Sequence, residues 1–275
     1  MKQCTGKQWM RIAFLAALGG SLLPAQTLSN QALPNQTQPN QSLPDAAVIL
    51  DRYIEVTGGR AAYEKHSTEI MIGVIEFAAQ GLKGKITRYS APPDKEYSIV
   101  ELEGIGSIES GISAGVAWEK SVLLGPRIKS GEEKEQAFRE AHFNTPIEWR
   151  TLYPQATTAG TATIDDEDCY EVILTPATGK PEHQFYSRRT GYLMRTTAVA
   201  ASQMGEVAVE VDFGDYRSFG GVLIPTRSKQ RAGGQELSIT IDQVRVNETL
   251  PADRFEAPAD IAALLRKSSP APVAP

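Results

Sequence analysis

The feature that most constrains this chain is a period of two. Between Ile70 and Val246 apolar residues recur at alternate positions in short runs, separated by glycine, proline or acidic turns. Alternation of this kind marks a strand with one face buried, and a helical period cannot produce it. Ile70, Ile72 and Val74 alternate, then Ile75 and Phe77 resume in the opposite phase, which predicts a bulge or twist. Lys83 to Tyr89, Tyr97 to Glu103 and Ala117 to Leu123 continue the series. Further on, Tyr170, Val172 and Leu174 alternate, and a hairpin runs from Gln184 to Val199 through Arg189-Thr190-Gly191. Val207, Val209, Val211 and Phe213 give the cleanest run. Gly220-Gly221 then turns the chain into Val222 to Gln230, and Leu237, Ile239 and Ile241 change phase before Val244 and Val246. Sequential hairpins predict an antiparallel meander of about ten strands, enough to curl strongly or close. The expected class is α+β, mainly antiparallel β.

Helices punctuate the strands in two places. Ser42 or Asp45 is positioned to cap a helix whose apolar stripe includes Ala47, Leu50 and Ile54 and which stops at Gly58-Gly59, with Arg60 to Lys65 adding a turn. Mid-chain, Ser130-Gly131-Glu132-Glu133 has the pattern of a capping box opening a helix through about Phe143. Thr145-Pro146-Ile147-Glu148 has it again, with Thr as N-cap, Pro at the first helical position and Glu at the third. That second helix must stop before Pro154. Phe138, Phe143, Trp149 and Leu152 give the inserted helices an apolar side suited to plugging a sheet.

Residues 1–25 have the form of a secretory signal. Lys2, Lys7 and Arg11 precede the apolar run Ile12 to Leu23, and Leu23-Pro24-Ala25 offers a cut ahead of Gln26. As a membrane anchor that 12-residue run would be short of the roughly 20 residues a span needs, so no mature transmembrane segment is expected. Residues 26–44 then carry three uncharged pentapeptides of the form NQxxP, a composition that favours an extended spacer. The folded body is expected over 45–265, followed by a Pro/Ala/Ser tail over 266–275. Cys4 precedes the apolar run, so no lipid-modified cysteine stands at the cut. Cys169 is left alone, without a basic neighbour, and reads as a buried cysteine rather than a nucleophile. Loss of the signal leaves 25 of the 28 basic residues against 33 acidic ones, a net charge of −8. A chain this acidic has no electrostatic footprint for nucleic acid.

The motifs that carry chemistry elsewhere lack their context here. His66, His142 and His183 are scattered, with no HExxH and no CxxC, so no metal or other cofactor is expected. Gly111-Ile112-Ser113-Ala114-Gly115 matches the GxSxG nucleophile elbow. That motif needs a strand-to-helix turn, however, and Val116-Ala117-Trp118-Glu119 continues as strand, so a glycine-rich hairpin turn is the better reading. Asp165-Asp166-Glu167-Asp168 lacks the spaced oxygens and mid-loop glycine of a calcium loop and reads as a solvated turn. Glu101 and Glu103 share one strand face and mark solvent exposure, so Glu101, Glu103 and Glu109 make no acid–base constellation.

Several segments together resemble the LolA/LolB-like superfamily of bacterial outer-membrane lipoprotein-sorting proteins. They are the opening helix ending Thr57-Gly58-Gly59, the turn and strand Gly115-Val116-Ala117-Trp118, the hairpin Phe185 to Leu193, the stretch Asp215 to Pro225, and the closing Val246-Asn247 with Leu250 to Pro258. The resemblance implies a highly curved, incompletely closed (half-open) barrel with helices packed on or in its concave face, sheltering acyl chains in the periplasm. The NQxxP spacer and the missing cysteine depart from the lipid-anchored members.

A meander of this size must bury its inner face with its own side chains, with helices, or with an apolar ligand. The leading expectation is a non-enzymatic periplasmic protein, not lipid-anchored, that binds a lipid or lipoprotein acyl chain. The candidate lining comprises Ile70, Ile72, Val74, Val207, Val209, Val211, Phe213, Leu237, Ile239 and Ile241, capped by Phe138 and Trp149. Alternation does not say which face of each strand points inward. Two other readings stand beside it: an envelope scaffold with a filled core that reaches a partner protein, and a hydrolase using Ser113.

Overall fold

The computed structural model describes residues 42–268 except 123, 203 and 204. The expected signal, most of the NQxxP spacer and the last seven residues lie outside the described residues.

A first helix, α1 (Ala46–Val56), starts at Asp45, whose carboxylate accepts the Ala47 backbone N–H at 2.8 Å. It ends at Thr57, with Gly58 and Gly59 at φ 131° and 75°. A one-turn α2 (Arg60–Tyr63) follows. The chain then enters β1 (Glu69–Phe77) and moves outward through β2 (Leu82–Ala91), β3 (Lys95–Leu102), β4 (Gly106–Ser113), β5 (Val116–Ser121) and β6 (Gly125–Ile128). Helix α3 (Gly131–Ala141), a 3-10 turn (Thr145–Glu148) and α4 (Trp149–Leu152) carry it across to the far edge of the same sheet. From there it returns inward through β7 (Gln155–Ile164), β8 (Glu167–Thr175), β9 (Glu182–Ser187), β10 (Leu193–Ser202), β11 (Gly205–Phe219), β12 (Val222–Ala232) and β13 (Gln235–Val246). A closing helix, α5 (Ala259–Ser268), completes the chain.

All thirteen strands form one antiparallel sheet, ordered β6-β5-β4-β3-β2-β1-β13-β12-β11-β10-β9-β8-β7. The seam at its centre joins β1 to β13, with Glu69 opposite Val246 and Ile75 opposite Ile239. The sheet is not closed, since β6 and β7 are separate edges. It is strongly curled, as α3 makes plain. This helix touches β4 and β5 on one side and β10 on the other. Those strands lie up to eight places apart in the sheet, roughly 38 Å if flat at ~4.8 Å per strand, far more than the ~10–12 Å girth of a helix. Ala137 and Ala141 pack with Ile112 and Ala117, while the Gln136 side chain accepts the Ala201 backbone N–H at 3.0 Å. The face that holds α3 is therefore the inner face of the curl.

The outer face of β2–β5 is crossed by the C-terminal segment. Arg254 stacks over Tyr89 at 4.3 Å, Lys120 pairs with Asp260 at 3.0 Å, and Ile261 is fully buried. Helix α5 lies against β6.

Three strands exceed the expected ten: β4, β6 and β7. Their sequences are Gly/Ser-rich, proline-bearing and Thr/Ala-rich, so none shows apolar alternation. The bulge predicted in β1 sits in β13. Ile72 faces Gln243 and Gly73 faces Ile241, which leaves Asp242 as the extra residue. The change of phase within β1 has another cause, burial on both faces: Ile70 is buried on one and Met71 and Ile75 on the other. Both mid-chain caps also differ from expectation. Ser130 makes no side-chain cap bond, and α3 ends at Ala141. Asn144, at φ 64°, begins the 3-10 turn, because the Thr145 hydroxyl is committed to donating back to the His142 carbonyl at 2.6 Å.

Candidate ligand site

Side chains of the inner face follow from register. Ile75 faces Ile239 on β13, and Ile86, Val100 and Ile108 stand opposite one another across β2, β3 and β4. With Met71, Phe77, Ile224, Leu237, Ile241 and Val244 they form an eleven-residue buried cluster to which no helix contributes a residue. Two glycines interrupt it. At Gly73 a Cβ would meet the Thr240 carbonyl oxygen at 2.2 Å, and at Gly84 the Glu101 carbonyl oxygen at 2.5 Å, so the inner rows carry no side chain there.

The other half of the inner face is covered by helices. Ile49, Leu50, Tyr53 and Ile54 of α1, with Tyr63, Ile147 and Trp149, pack on Val172, Leu174, Tyr186, Leu193, Val209, Val211 and Phe213. Tyr53 meets Tyr186 edge-on at 5.4 Å, and Tyr63 shares a 2.7 Å hydrogen bond with Thr57. Burial pushes the Tyr53, Tyr63, Tyr186 and Tyr216 hydroxyls well above the ordinary phenol range, so they stay neutral.

Moving along β2–β6 toward α3, the inner face turns polar. The rung next to Ile86, Val100 and Ile108 reads Arg88, Ser98, Ser110, Glu119, Arg127, each opposite the next. Beyond it Ser90 stands between Glu69 and Glu96. The charges are matched in place. Arg88 pairs with Glu96, and Arg127 donates to Glu133 of α3 at 2.6 and 2.7 Å and to Glu119 at 3.3 and 3.4 Å. The Glu133 hydrogen bonds raise the Arg127 guanidinium above its usual value. This bond between β6 and α3 fixes the helix across the mouth of the curl.

The expected lining divides in the structure. Leu237, Ile239 and Ile241 belong to the helix-free cluster, and Val209, Val211, Phe213 and Trp149 to the helix-covered one. Val207 is half-buried on the same face as Val209, and Phe138 packs partly against the Ala137/Ala141 contact. Ile70, Ile72 and Val74 do not line the inner face: they alternate with Met71 and Ile75 and so point outward, where Ile70 stands opposite Tyr89. The inner polar residues Arg88, Ser90 and Ser98 were missed, although extending the alternation from Ile86 and Val100 would have found them.

Outside this face, a groove of about 880 Å³ is lined by His183, Thr197, Val199, Ala208, Glu210 and Arg231 among others. Its charges are already engaged, His183 with Glu171 at 2.6 Å and Arg231 with Asp212 at 2.9 Å. Ser113 closes the β4–β5 hairpin opposite Val116 through Ala114 and Gly115, both with positive φ, so the elbow geometry is not formed. Cys169 is buried and its thiol is pushed up to about 11, chiefly by desolvation. Among the described residues no three or more His, Cys, Asp or Glu side chains gather to hold a metal ion, and no helix is long and apolar enough to cross a membrane.

No protein-family model matches the chain, and no curated protein matches it in sequence. Solved structures do. A LolA superfamily protein from Nitrosomonas europaea superposes with a TM-score of 0.55 at 13% identity, over 78% of this chain and 99% of that one. A DUF1329 family protein from Desulfovibrio piger gives 0.54 at 14% identity, over 78% and 98%. A domain named for outer-membrane lipoprotein sorting, from Vibrio parahaemolyticus, gives 0.51 at 11% identity, over 77% and 97%. With its open curled sheet and helices across the inner face, the chain has a LolA-like fold.

Proposed function

We propose that this protein is a non-enzymatic binder of acyl chains, acting as a carrier or sorting factor in the bacterial envelope. The observation that carries the reading is the eleven-residue apolar cluster on the inner face, to which no helix contributes a residue. Each methylene withdrawn from water there contributes about 0.8 kcal/mol, so an acyl chain needs no charged site to bind. The fold likeness to lipoprotein-sorting domains supports the same direction. Helix α3, joined to β6 through Arg127 and Glu133 and to β10 through Gln136, is the element that must shift to admit or release a ligand.

Native mass spectrometry and lipid extraction of protein purified from its own envelope test the proposal. Co-purifying acyl chains are expected. Their absence, together with failure to take up added fatty acid or acylglycerol, would reject it. A second reading, an envelope scaffold with a filled core, draws on the depth of burial of Ile75, Val100 and Ile239, none more than 1% exposed. A lipid-free protein that captures a specific envelope partner would favour that reading instead.

A further inference from the structure

We infer that the ligand is an amphiphile with a neutral, hydrogen-bonding head, and that the head sits at Ser90 and Ser98 on the inner face of β2 and β3; this rests on the acyl-binding reading above.

The inner face of β2 and β3 is zoned along the strand axis. Leu82, Gly84 and Ile86 on β2, with Leu102 and Val100 on β3, are apolar. Arg88 and Ser90, with Ser98 and Glu96, are polar. Four residues separate Ile86 from Ser90, about 13 Å of strand at ~3.3 Å per residue. An extended ligand lying along these strands would keep its hydrocarbon against Ile86, Val100 and Ile108 and bring its head to the serines.

Both serines are 3% exposed, and neither hydroxyl has a hydrogen-bond partner among the described residues. Ser90 stands opposite Glu96, two residues from Ser98, so the two are diagonal neighbours on one face. A buried hydroxyl without a partner is destabilising, because its desolvation goes uncompensated, and a ligand group supplying the missing bond removes that cost.

The charges around the serines select against an ionic head. Arg88 is taken by Glu96, and Arg127 and Lys129 by Glu119 and Glu133. Glu69 lies across the register from Ser90 and is itself within 4.0 Å of His66. A carboxylate arriving here would meet the Glu69, Glu96 and Glu119 carboxylates beside cations that already pair with acids, and would be desolvated with little compensation. An ester carbonyl can accept from a serine hydroxyl and a glycerol hydroxyl can donate to one, so an acylglycerol fits the site better than a fatty-acid carboxylate.

Calorimetric titration of the purified protein with 1-oleoylglycerol, oleate and 1-octadecene tests the inference. The acylglycerol is expected to bind at least about tenfold tighter than oleate, and Ser90→Ala/Ser98→Ala to lose that preference through a roughly tenfold weaker hold on the acylglycerol, since a single good hydrogen bond is worth roughly that factor. The double variant removes hydroxyls that bond to nothing, so its melting temperature should equal or exceed that of the unaltered protein. The ligand series on the unaltered protein reads the same preference without any substitution. Equal or tighter oleate binding, or a preference that survives in the double variant, overturns the neutral-head inference while acyl binding stands. If none of the three probes binds, the acyl-binding reading falls and this one with it.

Discussion

Replacing Ile239 with alanine separates a packed inner cluster from a slack one. Ile239 is 1% exposed and faces Ile75, itself fully buried, across the β1–β13 seam. The substitution deletes three carbons, about 2.4 kcal/mol of lost transfer energy at ~0.8 kcal/mol per methylene. The cavity left behind raises the total to roughly 2–5 kcal/mol, depending on how far its neighbours relax. For a domain of this size that is a fall of roughly 5–15 °C in melting temperature. Thermal and urea denaturation followed by circular dichroism measure it directly. Acyl ligand at about one hundred times its dissociation constant should restore about 2.7 kcal/mol, and the ligand should bind Ile239→Ala at least as tightly as the unaltered protein, because the added space lies in the proposed site. A loss below about 1 kcal/mol would show that Ile239 is not packed as the geometry requires. A full loss with no ligand effect in either protein would mean that the cluster is an ordinary core and the inner face takes no hydrocarbon.

Arg127→Ala removes the paired hydrogen bonds that hold Glu133 and should lower hydrogen-exchange protection across α3 by about tenfold while leaving β8–β12 unchanged, as a break of about 1.4 kcal/mol predicts; equal loss in both regions would contradict a local role. Cys169, buried and with its thiol held up near 11, should resist a thiol reagent at pH 8 when folded and react fully in urea, whereas reaction in the folded state would show the strand to be open. The Arg150 guanidinium beside Asp51 holds that carboxyl below its ordinary value. The stabilisation is therefore present above the unfolded carboxyl value and is lost as pH falls through the folded one. Asp51→Asn should cost no more than about 1 kcal/mol at neutral pH, since both partners are half-exposed, and that difference should vanish in strong acid. A difference that persists there would rule out the ion pair as its cause.

Much of the sheet was legible because its turns are chemically explicit. Asp45 as a cap, Gly58-Gly59 as a stop and Arg189-Thr190-Gly191 as a hairpin tip each act locally, and the structure keeps all three. What could not be read is what local chemistry does not encode. Alternation shows that a strand has two unlike faces without naming the inner one, so it offers Ile70, Ile72 and Val74 as lining although they point outward, on the side crossed by the C-terminal segment. Strand β7, Gln-Ala-Thr-Thr-Ala-Gly-Thr-Ala-Thr-Ile, has little apolar content and is recruited by its pairing with β8, helped by Thr158, which donates to the Pro44 carbonyl at 2.7 Å. The polar zone escapes an apolar pattern because Arg88, Ser90 and Ser98 continue the inner face of Ile86 and Val100 with polar side chains. Only the curl, which α3 bridges, turns that side into an interior.

The seam between β1 and β13 carries a consequence for how the molecule reaches its final form. Residues facing each other there, such as Glu69 and Val246, are separated by nearly the whole of the intervening chain. Each half of the sheet can zip from hairpin to hairpin, but the halves join only after the last strand has emerged. A polypeptide whose last strand has yet to emerge therefore lacks the piece that locks it, and remains pliable until its synthesis is nearly complete.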